Sequence, residues 1–310
     1  MALLILTDES GTLVEDENGV IRLAGDDRYE TAYAVANEYK AQLGADEFDS
    51  VIVATGKTFA DALSGSCLAS AKNAPILLTN CKEENVAKLA AYIKENLAAD
   101  GTVYILGGEV AVSISTEDAI KEVAANVKRL SGDTRYETNL AILNEAGVDG
   151  KELLVATGKE FADSLSASAT KLPILLVKDE ITEAQKALLE NYDEIYIIGG
   201  TKAVSEEIQN SLAGYGTVER IAGDNRYATS AAIAERFFEN ADTAIVASAQ
   251  SFPDGLCGGP LAAAMNAPLL LTADGKTGEA AAYGAAKDIK SGIVLGGELR
   301  ISEESVKEIF

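Results

Sequence analysis

R-L-A-G-D-D-R-Y-E-T, running from Arg22 to Thr31, decides how the chain is organised, because it occurs three times. Arg129 to Thr138 reads R-L-S-G-D-T-R-Y-E-T, and Arg220 to Thr229 reads R-I-A-G-D-N-R-Y-A-T. Counted on the second arginine, the copies stand 107 residues apart (135 − 28) and then 91 apart (226 − 135). A unit of that size holds its own hydrophobic core and is too long for a solenoid repeat. The expected division is a leader over 1–19, with Leu3 to Leu6 as its candidate strand, then units over 20–127, 128–218 and 219–310.

Outward from the decapeptide, each copy repeats one order of elements. Val20 to Leu23 is a short apolar strand ending at the Gly25-Asp26 turn, and Thr31 to Leu43 carries Ala32, Val35, Ala36 and Tyr39 at helical spacing. S-V-I-V-A (Ser50 to Ala54) is a β-branched run of the kind buried on both faces of a parallel sheet. A small-residue helix through Phe59-Ala60-Asp61 follows, then the strand Ile76 to Leu78, a helix over 83–96, the strand Thr102 to Leu106 and a closing helix over 113–125, capped by Ser115 or Thr116. The order returns with Leu153 to Ala156, a helix through Phe161 to Ser166, and Ile195 to Ile198. It returns again with Ala244 to Ala247, Phe252 to Leu256, and Ile293 to Leu295. Strands alternating with helices predict three tandem three-layer α/β units, Rossmann-like or toprim-like, with mainly parallel sheets. The opening strands at Val127 to Leu130 and Val218 to Ile221 follow the preceding copy's last helix and can pair in either sheet. The expected assembly is a pseudo-threefold ring within one chain.

Composition narrows the function. A net charge of −23 argues against nucleic acid and against simple attraction to an anionic membrane. No apolar run reaches the ~20 residues that span a bilayer, and M-A-L-L-I-L-T-D-E-S is not a signal peptide as it stands. The chain has no histidine, the commonest general base and metal ligand, and no tryptophan for a sugar-stacking platform. Cys67, Cys81 and Cys257 occupy non-equivalent places and read as small apolar fillers, so no metal and no cofactor are expected.

Three groups of residues can carry recognition. Arg28, Arg135 and Arg226, each followed by a tyrosine (Tyr29, Tyr136, Tyr227), can donate paired hydrogen bonds to a carboxylate or phosphate. The alternative is an internal pairing within each copy: Arg28 with Asp61, Arg135 with Asp163, Arg226 with Asp254. Gly107-Gly108, Gly199-Gly200 and Gly296-Gly297 end a strand where open α/β sheets place ligands, although a tight turn needing positive φ explains them equally. Thr55-Gly56, Thr157-Gly158 and Ser248-Ala249 end the central strand at the same sheet edge. No GxGxxG, phosphate loop, carboxylate dyad or Ser-His pair accompanies them, which leaves an enzyme reading with little support.

R-[LI]-x-G-D-x-R-Y-x-T, then V-A-T-G-x-x-F-A-D-[AS]-L-S, A-P-I-L-L-T and Y-I-[LI]-G-G-x-x-A-V-S together resemble the type 2 cell-wall-binding repeat of clostridial-type surface and S-layer-associated proteins. The resemblance covers about residues 20–310, and three copies is the number that family carries. It implies a non-catalytic anchor at the extracellular cell surface, a monomer with an internal trimeric arrangement, holding an anionic, teichoic-acid-like wall polysaccharide. S-layer proteins are an alternative partner. Copy three departs from the pattern at Ser248-Ala249-Gln250, Pro253, Gly255 and Cys257. With a charge of −23, polymer binding has to rest on local arginines, or on divalent cations bridging phosphate to acids.

Overall fold

The computed structural model describes residues 19–147, 150–289 and 291–310, and the expected strand at Leu3 to Leu6 lies outside them. The first repeat runs β1 (Val20–Leu23), α1 (Arg28–Leu43), β2 (Phe48–Thr55), α2 (Ala60–Lys72), β3 (Ile76–Thr79), α3 (Glu83–Asn96), β4 (Leu97–Leu106) and α4 (Ile114–Lys121). The second runs β5 (Asn126–Leu130), α5 (Arg135–Ala146), β6 (Glu152–Thr157), a 3₁₀ turn (Ser166–Thr170), β7 (Ile174–Val177), α6 (Glu183–Leu189), β8 (Glu194–Ile198) and α7 (Glu206–Leu212). The third runs β9 (Thr217–Ile221), α8 (Arg226–Phe237), β10 (Thr243–Ser248), α9 (Pro253–Met265), β11 (Leu269–Thr272), α10 (Gly278–Lys287), β12 (Ser291–Leu295) and α11 (Glu303–Ile309).

The decapeptide is a strand end, a turn and a helix start. Its variable residue before Arg-Tyr is the helix N-cap: Asp27, Thr134 and Asn225 each accept backbone N–H groups of the first turn. Thr31, Thr138 and Thr229 reach back to accept the N–H of Gly25, Gly132 and Gly223 at 3.0–3.1 Å. The glycine is required by space, since a Cβ on Gly25 would stand 2.4 Å from Cβ of Glu30.

Among the described residues every strand pairing is parallel, and the sheet orders are β3-β2-β4-β5, β7-β6-β8-β9 and β11-β10-β12-β1. The opening strand of each repeat therefore completes the sheet of the repeat before it. β1, at the front of the chain, takes that place beside β12, so the ring closes between the first and last units. α1 packs on α9, α5 on α2, and α8 on the 3₁₀ turn, again across the unit boundaries. Phe59, Phe161 and Phe252 meet at the centre with ring centroids 5.4–6.3 Å apart. Each such pair adds about 0.5–1.5 kcal/mol beyond its buried area.

Two expectations need correcting. The segment after Phe161 is not an α-helix but turns followed by the 3₁₀ stretch. It has 12 residues from phenylalanine to proline (173 − 161), against 16 in the first repeat (75 − 59) and 16 in the third (268 − 252). A 3₁₀ helix rises about 2.0 Å per residue against 1.5 Å for an α-helix, so the shorter segment spans more of the gap. Ser164, Ser168 and Thr170 support it by donating to carbonyls three residues back. The cap of α4 is Ser113, ahead of both Ser115 and Thr116. Cys67 and Cys257 are buried as expected of fillers, whereas Cys81 is half-buried.

Copy three's departures adapt it to its neighbour. A Cβ on Gly255 would sit 2.7 Å from Leu165, and one on Gly259 would sit 2.4 Å from Ser168, so these glycines let α9 lie close against the second unit.

Candidate functional site

In each sheet the strand order reverses between the two central strands, β2 and β4 in the first unit, β6 and β8 in the second, β10 and β12 in the third. Open α/β sheets bind ligands at the carboxyl ends of such a pair. Those ends carry Thr55-Gly56 with Gly107-Gly108, Thr157-Gly158 with Gly199-Gly200, and Ser248-Ala249 with Gly296-Gly297.

The two glycines of each pair differ. Gly107, Gly199 and Gly296 have φ of +97°, +96° and +93°, and a Cβ on them would meet Oδ2 of Asp61, Asp163 and Asp254 at 2.5–2.8 Å. The first glycine thus serves the turn and admits the acid of its own unit. Around Gly108, Gly200 and Gly297 a Cβ would meet nothing within 4 Å, so these residues face open space.

The second arginine of each motif is held by its own unit and acts on the neighbour. Nη1 of Arg28, Arg135 and Arg226 donates to the carbonyl oxygens of Gly56, Gly158 and Ala249 at 2.6–2.7 Å. The expected ion pairs of Arg28 with Asp61, Arg135 with Asp163 and Arg226 with Asp254 are not formed. Burial raises the Asp61 carboxyl above its ordinary range, and Arg135 of the second unit pulls it back. Burial raises Asp254 likewise, against Arg28 and Arg300. Arg135 also stands 5.6 Å over the ring of Phe59, and Arg226 5.9 Å over Phe161, both across a boundary. Each site is therefore composite: an acid and Gly-Gly turn from one unit, an arginine from the next.

Tyr29, Tyr136 and the hydroxyls that end the central strands are committed inward. The rings of Tyr29 and Tyr136 pack so closely on Gly56 and Gly158 that a Cβ there would lie 2.7 and 2.5 Å away. The hydroxyls of Thr55, Thr157 and Ser248 are buried and accept the N–H of Lys57, Lys159 and Gln250 at 3.2–3.3 Å.

The first arginine of the decapeptide has a role that the motif reading did not assign. Nη1 of Arg129, Arg220 and Arg22 donates to the carbonyl oxygens of Gly107, Gly199 and Gly296 at 2.7–2.9 Å, locking the preceding unit's turn. Asp26, Asp133 and Asp224, the motif aspartates, are exposed and form no ion pair among the described residues. Presence in all three copies was the signal available for both. Two cavities lie near the amino ends of the strands: about 510 Å³ lined by Leu143, Lys151 and Tyr192, and about 160 Å³ lined by Glu152, Leu172 and Phe237. The second glycine of each turn, at the opposite, carboxyl ends of the strands, faces open space, which suits a polymer better than an enclosed small molecule. Among the described residues no cluster of three or more His, Cys, Asp or Glu can hold a metal, and no helix is long and apolar enough to cross a membrane.

A family model described as cell wall binding domain 2 matches residues 22–117, 129–209 and 220–306. The N-acetylmuramoyl-L-alanine amidase LytC of Bacillus subtilis (strain 168) is 31% identical over 284 residues, covering 89% of this chain and 54% of that protein. The amidase enhancer of the same organism is 33% identical over 263 residues, covering 80% and 34%. Among solved structures, Cwp8 from Clostridium difficile superposes with a TM-score of 0.84 at 29% identity, covering 97% of this chain and 52% of that one. Cwp6 from Clostridium difficile gives 0.80 at 26%, covering 94% and 48%. The chain spans about half the length of these relatives, or less.

Proposed function

The chain belongs to the cell wall binding domain 2 family, and from that premise we propose that it is a non-covalent anchor for an anionic, teichoic-acid-like polysaccharide of a Gram-positive cell wall. The observation that carries this reading is the threefold recurrence of one composite arrangement: open backbone at Gly108, Gly200 and Gly297, an arginine from the following unit, and an unpaired exposed aspartate. Guanidinium N–H groups and turn amides suit phosphate or carboxylate, and aspartates suit sugar hydroxyls. Three modest sites on one chain bind a repeating polymer by avidity, which overcomes a long-range repulsion that salt already screens. The module is read as non-catalytic, because the acid of each site is packed against its own Gly-Gly turn. Cell-surface location follows from the ligand.

A protein partner such as an S-layer subunit has one observation in its favour. Val110 and Leu299, two residues after the Gly-Gly turn in the first and third units, are fully exposed. Sedimentation with isolated walls separates the readings. Binding is expected to disappear once hydrofluoric acid has stripped phosphodiester-linked polymers, and to weaken in a folded variant with Arg28, Arg135 and Arg226 changed to alanine. Undiminished binding to stripped walls would overturn the anionic-polymer reading.

A further inference from the structure

The three sites share a backbone plan but differ in charge. Arg129 is bound by the Glu117 carboxylate at 2.6 Å, and Arg22 by that of Glu303 at 2.5 Å. Arg220 instead donates from Nε and Nη2 to the amide oxygen of Gln209 at 3.0 and 2.8 Å, and from Nη1 to the Gly199 carbonyl. Its hydrogen-bond partners are all neutral. The turns differ in the same sense: G-G-E-V-A-V-S over 107–113, G-G-T-K-A-V-S over 199–205 and G-G-E-L-R-I-S over 296–302. The second turn alone lacks an acid there, and it carries the exposed Lys202 where the others carry Val110 and Leu299.

We infer that the Gly199-Gly200 turn, at the junction of the second and third units, is the dominant anion subsite of the chain, taking a phosphodiester group between Lys202, Arg220 and the turn amides. The inference rests on the anionic-polymer reading above. In the first and third sites a carboxylate already neutralises the equivalent arginine, and Arg300 of the third turn stands between Glu298, two residues before it, and the charge of Asp254, so an incoming phosphate meets less unspent charge there. At the second site no carboxylate pairs with the guanidinium, whose bonds go to the neutral Gln209 amide and Gly199 carbonyl, so an incoming phosphate has no ion pair to displace. Nearby acids do not cancel this. Asp179 is occupied by Lys159 at 2.6 Å, and Lys178 stands beside it. Glu206 acts on Arg220 only at a distance: burial holds the guanidinium below its ordinary value, and Glu206 offsets that in part. A charged group that burial penalises and a distant carboxylate relieves only in part gains more from an arriving anion than one already paired.

The test is titration of the whole chain with a fluorescent glycerol-phosphate oligomer at low and physiological salt. Gln209→Glu installs the carboxylate that the first site carries, and Lys202→Val installs that site's apolar tip. Each is expected to weaken probe binding about fivefold and to flatten its salt dependence, from the loss of one local charge at intermediate screening. The reciprocal graft, Glu117→Gln with Val110→Lys, is expected to strengthen binding about as much. Equal affinity for Gln209→Glu, Lys202→Val and the unsubstituted chain, with unchanged melting, overturns the inference and leaves the polymer reading standing. Failure of the unsubstituted chain to bind the probe overturns both.

Discussion

Arg135 brings its charge to Asp61, an acid of the preceding unit, while its own hydrogen bond goes to the Gly158 carbonyl beside it. Folding each unit alone would leave Asp61 without that relief. The pH dependence has a definite sign. Burial raises the native carboxyl above its unfolded value, so the native state holds a proton that the unfolded chain has released. Stability from this group is fully present at acid pH and is lost as pH rises through the raised value. Asp61→Asn is therefore expected to gain stability over the unsubstituted chain between about pH 4 and neutrality. Arg135→Ala is expected to steepen the loss, because it removes the charge that lowers Asp61. Urea unfolding across that range checks both, and a parallel pH profile for Asp61→Asn would refute the account.

Much of this architecture was readable in the chain. Strands such as Val51 to Ala54 announce themselves because a strand covered on both faces must be apolar at every position. The turn chemistry of G-D-x-R-Y was readable as well, although the N-cap role of Asp27 emerged only with the backbone. Which neighbour each arginine faces was not readable, and the reason is degeneracy. When three copies carry the same Arg and the same Asp, a pairing within a copy and one across copies leave identical sequences. The same degeneracy hides the sheet to which Val127 to Leu130 belongs. The 3₁₀ turn of the second unit follows from a segment four residues shorter, a difference that matters only once both ends are anchored in space.

Asn139 also ties one unit to another. Its amide donates to Oγ of Ser64 in α2 at 3.0 Å and to the Ile174 carbonyl at 2.8 Å, and its oxygen accepts the N–H of Leu176 at 2.9 Å. The counterpart Ser230 is shorter and bonds only its own edge strand, leaving Oγ of Ser166 buried without a partner. Asn139→Ala strands the buried Ile174 carbonyl and Leu176 N–H, while Ser64 keeps its bond to the Ala60 carbonyl, and is expected to cost about 2–4 kcal/mol in chemical denaturation. Ser230→Ala is expected to cost about 1–2 kcal/mol. Equal costs would show that the link to Ser64 contributes nothing.

The three thiols are expected to react very differently. Burial drives Cys67 up to about 12 and Cys257 well above its ordinary value, so neither forms thiolate in the folded chain at neutral pH. For Cys81, burial also pushes upward, but hydrogen bonds from Ser113 and Thr116 and the charge of Lys57 outweigh it and hold the thiol below its usual value. Ser113 donates its backbone N–H to Sγ at 3.4 Å, at the start of α4. A thiol reagent at pH 7 is expected to label one cysteine per folded chain, identifiable as Cys81 by peptide mapping, and all three after denaturation. Labelling of Cys67 at a comparable rate would mean that α2 opens far more readily than its burial implies.

Four residues, Val20 to Leu23, complete the sheet of the last unit, alongside the α1–α9 and Phe59–Phe252 contacts that also join it to the first. β1 pairs Val20 with Gly292, Ile21 with Ile293, Arg22 with Val294 and Leu23 with Leu295, and Arg22 ties the Gly296 turn to Glu303. In the other two sheets the equivalent strand follows directly on the closing helix, as β5 follows α4. Truncation through Ala24 is therefore expected to expose the edge of β12, destabilise the third unit ahead of the others and promote association through the open edge. Appending V-I-R-L after Phe310, on a linker copied from residues 122–126, gives the third sheet its fourth strand in the order used by the first two. That variant is expected to recover a single cooperative transition and monomeric behaviour, read by calorimetry and sedimentation velocity. The truncated chain melting as sharply as the intact one would show that the strand decorates the ring without closing it.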